Sequence, residues 1–151
     1  MYSKSFIHYV AKVMVDVLLY LAVVAVITLP FAVKQLYLWI GYSDTSYVGI
    51  FAAVLTTSGI GCVYILYHLK MMYKSLLVGN PFIDRNVKHL RKIALACFII
   101  ALIYFIKCIL LFTFASLIIA FVFMVGCLFC LTLKDLFKQA INFKTENELT
   151  I

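Results

Sequence analysis

Hydrophobic side chains occur in this chain in runs longer than the core of a soluble protein requires. Residues 45–69 and 108–133 contain no Asp, Glu, Lys or Arg, in runs of 25 and 26 residues. A helix rising 1.5 Å per residue crosses a bilayer core in about 20 residues. Two further apolar runs, 17–33 and 93–106, are followed at once by Lys34 and Lys107. The pattern predicts an all-α integral membrane protein, a four-helix bundle with transmembrane helices at about 13–38, 47–69, 93–110 and 116–133. What remains is a connecting segment, 70–92, and a tail, 134–151, so residues 1–151 are read as a single transmembrane domain.

Each span carries local features. In the first, Lys12 and Asp16 stand four apart and are expected to pair on one helical face. Pro30 removes a backbone donor and is expected to kink the outer third, while Lys34 snorkels outward. Tyr37, Trp39, Tyr42 and Tyr47 fit headgroup depth at the exit and return. The N-terminal run resembles a signal peptide, but it is long and lacks a clear small-residue cleavage site, so a retained signal anchor is expected. In the second span, Ala53, Thr57 and Gly61 recur every four residues and form a small-residue face for helix packing, with pore lining as the alternative. Gly49 and Gly59 add flexibility without deciding between the two. The third and fourth spans share 41 residues, 93–133, interrupted only by Lys107. As one helix they would reach about 60 Å, twice the bilayer core, so the chain must fold back. The turn is placed at 111–115, with Lys107 one turn inside the outer boundary and suited to snorkelling.

Composition strengthens this picture, and charge gives it a direction. Hydrophobic residues make up 66% of the chain and mean hydropathy is +1.12, more apolar side chain than a soluble domain of this size can hide. The net charge of +7 sits beside the spans, where anionic lipid headgroups are the nearer partner. No groove-reading element is left over for direct nucleic-acid binding. With both termini inside, 11 of the 13 basic residues lie in the cytoplasm and only Lys34 and Lys107 lie outside. Both termini are therefore expected in the cytoplasm, with the protein multi-pass in the inner (plasma) membrane.

The two inner segments are patterned as well. Gly79 can end a helix, Asn80-Pro81 makes a turn, and Asp84 is expected to cap the next helix. Val87, Leu90 and Ala94 then line one side and Arg85, Lys88 and Lys92 another, a basic amphipathic stretch at the inner headgroups. In the tail, Leu133, Leu136, Phe137, Ala140 and Ile141 share a face, and the helix is expected to leave the membrane and bend along its surface.

The sequence Gly79-Asn80-Pro81-Phe82, followed by Asn86-Val87-Lys88-His89-Leu90-Arg91-Lys92-Ile93, resembles a motif of small bacterial four-span proteins. These are grouped as domain-of-unknown-function family twenty-nine seventy-five. The ending, Leu136-Phe137 through Glu146-Asn147-Glu148-Leu149-Thr150-Ile151, is similar to that family's second motif. The resemblance implies no established activity. Genes of such proteins often lie beside a small helix-turn-helix repressor of the Cro/CI type, which implies a cytoplasmic regulator as partner. By that analogy Asn80, Pro81, Phe82, Asn86, Leu90, Arg91, Glu148, Leu149, Thr150 and Ile151 face the partner. Arg85, Lys88 and Lys92 join them as contacts to partner or lipid.

Catalytic chemistry finds little support. Cys127 and Cys130 form a C-x-x-C in the inner half of the fourth span, without an outward-facing pair to relay electrons, and read as small apolar residues. His8, His68 and His89 stand at separations that build no metal motif. Paired carboxylates, a phosphate loop and a Ser-His-Asp grouping are all lacking. No enzyme, metal or cofactor is expected. The leading expectation is a regulatory or sensory membrane protein whose basic loop and tail engage a cytoplasmic regulator. A small channel or transporter accessory subunit, formed by homo-oligomers meeting at Ala53, Thr57 and Gly61, is one alternative. Immunity against a bacteriocin or toxin is another.

Overall fold

The computed structural model describes residues 6–41, 45–78 and 82–149. They form four long helices: α1 (Phe6–Trp39), α2 (Val48–Leu77), α3 (Asp84–Leu110) and α4 (Phe114–Leu149), with a short 3-10 turn, Thr45–Tyr47, before α2. All four are long and apolar enough to cross a membrane, and the described residues contain no strand. The fold is that of an all-α, four-span membrane protein. α1 runs unbroken through Pro30.

The helices outrun the bilayer. At 1.5 Å per residue, the 30 residues of α2 reach about 45 Å, the 27 of α3 about 40 Å and the 36 of α4 about 54 Å. A core about 30 Å thick leaves the surplus outside. Most of the connecting segment 70–92 is therefore helix, with α2 ending at Leu77 and α3 starting at Asp84. Asp84 does not cap α3. Ile83 takes the capping position in extended backbone, and Asp84 is the first helical residue, where its carboxylate faces the positive end of the helix. In the tail, α4 carries on without interruption to Leu149. Its last turns are polar, and i to i−4 backbone bonding needs no support from lipid.

The return between α3 and α4 is short. Leu111 adopts extended backbone (φ −140°, ψ 91°), and its N–H bonds to Lys107 O at 2.8 Å, closing the last turn of α3. Ser116 N then bonds to Thr113 O at 2.9 Å as α4 begins. The turn falls at 111–113, within the expected window, and needs no glycine because no residue in it takes a positive φ.

The helices pack in chain order: α1 on α2, α2 on α3, α3 on α4. Among the described residues the backbones of α1 and α4 do not approach each other, so the bundle is open on one side. The central helix is α3. Asn86, Leu90, Ile93, Cys97, Ile100, Tyr104 and Lys107 are all buried, and their spacings alternate 4, 3, 4, 3, 4, 3. That stripe drifts slowly enough around the helix to face one seam along its length. Ala94 and Ala101 flank it and let the neighbouring helices come close.

α2 meets its two neighbours through glycine. A Cβ on Gly61 would stand 2.8 Å from Ile100 Cδ1 of α3, and one on Gly59 would stand 2.8 Å from Val26 Cγ2 of α1. Gly61 packs against this chain's own α3. Ala53 is exposed, and Thr57, also exposed, borders a groove between α2 and α3. The three residues do not form one packing face. Gly59, which the spacing left without a role, seats α1.

Candidate functional site

The buried stripe of α3 is apolar except at three places, and each polar head meets a serine on an adjoining helix. Near the basic end, Asn86 and Ser75 of α2 bond through both Asn86 amide atoms, with the Asn86 Nδ2–H donating to Ser75 Oγ at 2.6 Å. The Ser75 hydroxyl stands 2.9 Å from Asn86 Oδ1 and 2.8 Å from the backbone O of Met72. Towards the far end, Tyr104 and Ser58 of α2 share a hydroxyl pair at 3.3 Å. At the far end itself, Lys107 Nζ donates to Ser116 Oγ of α4 at 2.7 Å and lies 5.5 Å from the centre of the Phe51 ring. A buried polar group without a partner is costly, so these three pairs fix how far α3 can slide against its neighbours.

Lys107 does not snorkel. Its residue is only 6% exposed and turns into the protein. The short return brings Ser116 opposite it, and the Phe51 face supplies a cation–π contact where lipid would otherwise stand. Asp16 is also re-paired: its carboxylate meets Lys70 of α2 at 2.9 Å rather than Lys12. α1 packs on α2, which offers a cation across the helix interface, and Lys70 Nζ also lies 5.8 Å from the Tyr20 ring.

His68 and His89 form a pair that the sequence does not announce. They are 21 residues apart, but the α2–α3 hairpin brings their Nδ1 atoms to 2.9 Å. Such a bond needs one donor and one acceptor, so the two rings share a single proton between these atoms. Tyr64 packs edge-on to His68 at 4.4 Å between centroids. Among the described residues neither of the two buried Nε2 atoms has a hydrogen-bond partner. Among the described residues no group of three His, Cys, Asp or Glu is placed to hold a metal ion.

The residues expected to face a partner divide into two sets. Asn86 and Leu90 are buried on the α3 stripe at 2% and 4% exposure, so they hold the fold together and are not presented to a partner. Their spacing to Ile93 and Cys97, four and then three and four, was the available signal. Arg85, Lys88, Arg91 and Lys92 are exposed. Phe82 is exposed but not idle: its ring lies 5.2 Å from that of Phe137 on α4 and ties the α2–α3 connection to that helix. Asn80, Pro81, Thr150 and Ile151 lie outside the described residues, as does the Gly79 turn. Glu148 and Leu149 fall on the last turn of α4.

All five cysteines are free, and three of them converge. Cys97 and Cys127 share one buried cluster with Ile93 and Ala94, and Cys130 packs against it. A Cβ on Gly126 of α4 would stand 3.9 Å from Cys97 Sγ, an ordinary contact that leaves room for alanine. They occupy apolar core positions between α3 and α4, as small side chains do.

Fold and site together define a small multi-pass membrane protein with four crossings and a folded, basic helical end. The family profile described as "Protein of unknown function (DUF2975)" matches residues 13–151, and the chain belongs to that family. Neither the curated proteins nor the solved structures gave a match.

Proposed function

We propose that this protein is a regulatory membrane protein, with its basic end in the cytoplasm, that engages a cytoplasmic helix-turn-helix regulator there. The observation that carries this reading is the Phe82–Phe137 contact, which joins the α2–α3 connection to the projecting part of α4. Beyond the bilayer core α2, α3 and α4 thus offer a built surface. Arg85 and Lys88 are exposed on it, while Ser75–Asn86 and His68–His89 hold the helices beneath. A change in packing among the spans would shift this surface as a unit, because α3 carries both the buried seam and the exposed cations. The bilayer supplies the anionic headgroups that hold the basic end inside, in the plasma membrane with both termini cytoplasmic.

Co-purification from mild detergent against a small helix-turn-helix regulator of the Cro/CI type tests the reading. Wild type is expected to retain the regulator and Arg85→Glu/Lys88→Glu to lose at least ten-fold of it, since like charge now faces the docking surface. Equal recovery by the two proteins would refute the role of this end. The channel or transporter-accessory reading is favoured by one observation, the buried ammonium of Lys107, because ionisable groups inside spans often mark ion pathways. The contact of Gly61 with Ile100 weighs against it, since that glycine is engaged within one chain and not at an oligomer interface.

A further inference from the structure

A cleft of about 670 Å³ runs between α3 and α4. Lys88, Arg91 and Lys92 stand at its rim, Leu95, Phe98 and Leu131 form its walls, and Ala94 and Cys127 lie at its floor. The cations and the apolar walls lie along one side of α3, at positions 88, 91, 92, 95 and 98, so a molecule lying along the helix meets both in turn. Depth within the bilayer agrees with this arrangement. Counting about 20 residues back from Leu110, the span needed for a bilayer core, reaches Arg91, so the rim sits at phosphate level and the walls sit among acyl chains. The rim carries three basic residues and no acidic one, and the walls below it offer no polar side chain.

We propose that this cleft is a seat for one anionic phospholipid. The phosphate lies against Lys88, Arg91 and Lys92, with Arg91 able to take two phosphate oxygens through its guanidinium fork, and an acyl chain lies along Leu95, Phe98 and Leu131. The seat differs from the general attraction of a basic end to a charged leaflet. It needs the cations and the apolar walls together, and it holds its lipid after the bilayer has been removed.

Native mass spectrometry of the full chain in detergent, titrated with phosphatidylglycerol or phosphatidylcholine of the same acyl chains, tests the seat. Phosphatidylglycerol is expected to bind about 10- to 100-fold more tightly, since its headgroup is net anionic before the three cations whereas choline offsets the phosphate of phosphatidylcholine. Lys88→Gln/Arg91→Gln/Lys92→Gln is expected to abolish the preference, and Leu131→Trp, which fills the cleft, to weaken both lipids. Lys134→Gln/Lys138→Gln/Lys144→Gln removes the same charge from α4 outside the cleft and is expected to leave the preference intact. Circular dichroism checks that each variant keeps its helices. Equal binding of the two lipids would overturn the proposal, as would equal loss from the two triple variants. Binding of glycerol phosphate as tight as that of the whole lipid would reduce the seat to an anion site and overturn it as well.

Discussion

Exchanging Ser116 for alanine is expected to destabilise the protein in detergent by about 2 kcal/mol, with a matching fall in melting temperature. The side chain lost is a single hydroxyl, but it accepts a bond from a buried ammonium at 2.7 Å. Hydrogen bonds to charged groups contribute about 1.5–3 kcal/mol, more than neutral ones, because the charge left behind is poorly solvated. Lys107→Met is expected to cost less, since a serine hydroxyl can turn to a backbone carbonyl in its own helix when its partner leaves. Methionine keeps the length of the lysine stem beside the Phe51 ring and carries no charge that needs solvating. The double variant Lys107→Met/Ser116→Ala is therefore expected to be more stable than Ser116→Ala alone. A thermal cycle through the wild type, both single variants and the double reads the coupling directly. Additive effects in that cycle would show that Lys107 is not held by Ser116.

Leucine at Gly61 is expected to be more damaging than leucine at Gly59, although each glycine lets a neighbouring side chain approach equally closely. The difference lies in what can yield. Gly61 faces Ile100, which is 2% exposed and set between Tyr104 and Ala120 in the core where α3 meets both neighbours. Interiors packed to this density resist insertion, and overfilling costs about 1–3 kcal/mol or more. Gly59 faces Val26 of α1, a helix that among the described residues packs only on α2 and can move back into lipid. A loss of about 3 kcal/mol or more is expected for Gly61→Leu and about 1 kcal/mol for Gly59→Leu, at the upper and lower ends of that range. Melting curves of the two variants in one detergent decide the order. A Gly59 variant as unstable as the Gly61 variant would mean that α1 is held by more than its contact with α2.

Much of this architecture is legible in the sequence. Runs without Asp, Glu, Lys or Arg, interrupted by basic clusters, locate four spans, and their length alone forces the return near Leu111. What spacing could not supply is pairing between helices. Asp16 has a lysine four residues earlier, yet it chooses Lys70, because the packing of α1 on α2 places that ammonium opposite the carboxylate. His68 and His89 meet only because the hairpin aligns them. Lys107 reads as a snorkelling residue because it lies one turn from the end of its helix. It is buried because the tight return sets Ser116 against it, a consequence of tertiary packing. Asn86 is the instructive miss. Among basic neighbours it looks like a surface contact, although its alternating spacing to Leu90, Ile93 and Cys97 places it on the buried stripe.

The proposed function depends on one arrangement, with the α2–α3 connection in the cytoplasm and the α3–α4 turn outside. Labelling of single cysteines introduced into a cysteine-free chain, Lys88→Cys and Thr113→Cys, with a membrane-impermeant maleimide measures it. The account predicts that Thr113→Cys reacts in intact cells and that Lys88→Cys reacts only after lysis. Reaction of Lys88→Cys in intact cells would contradict it.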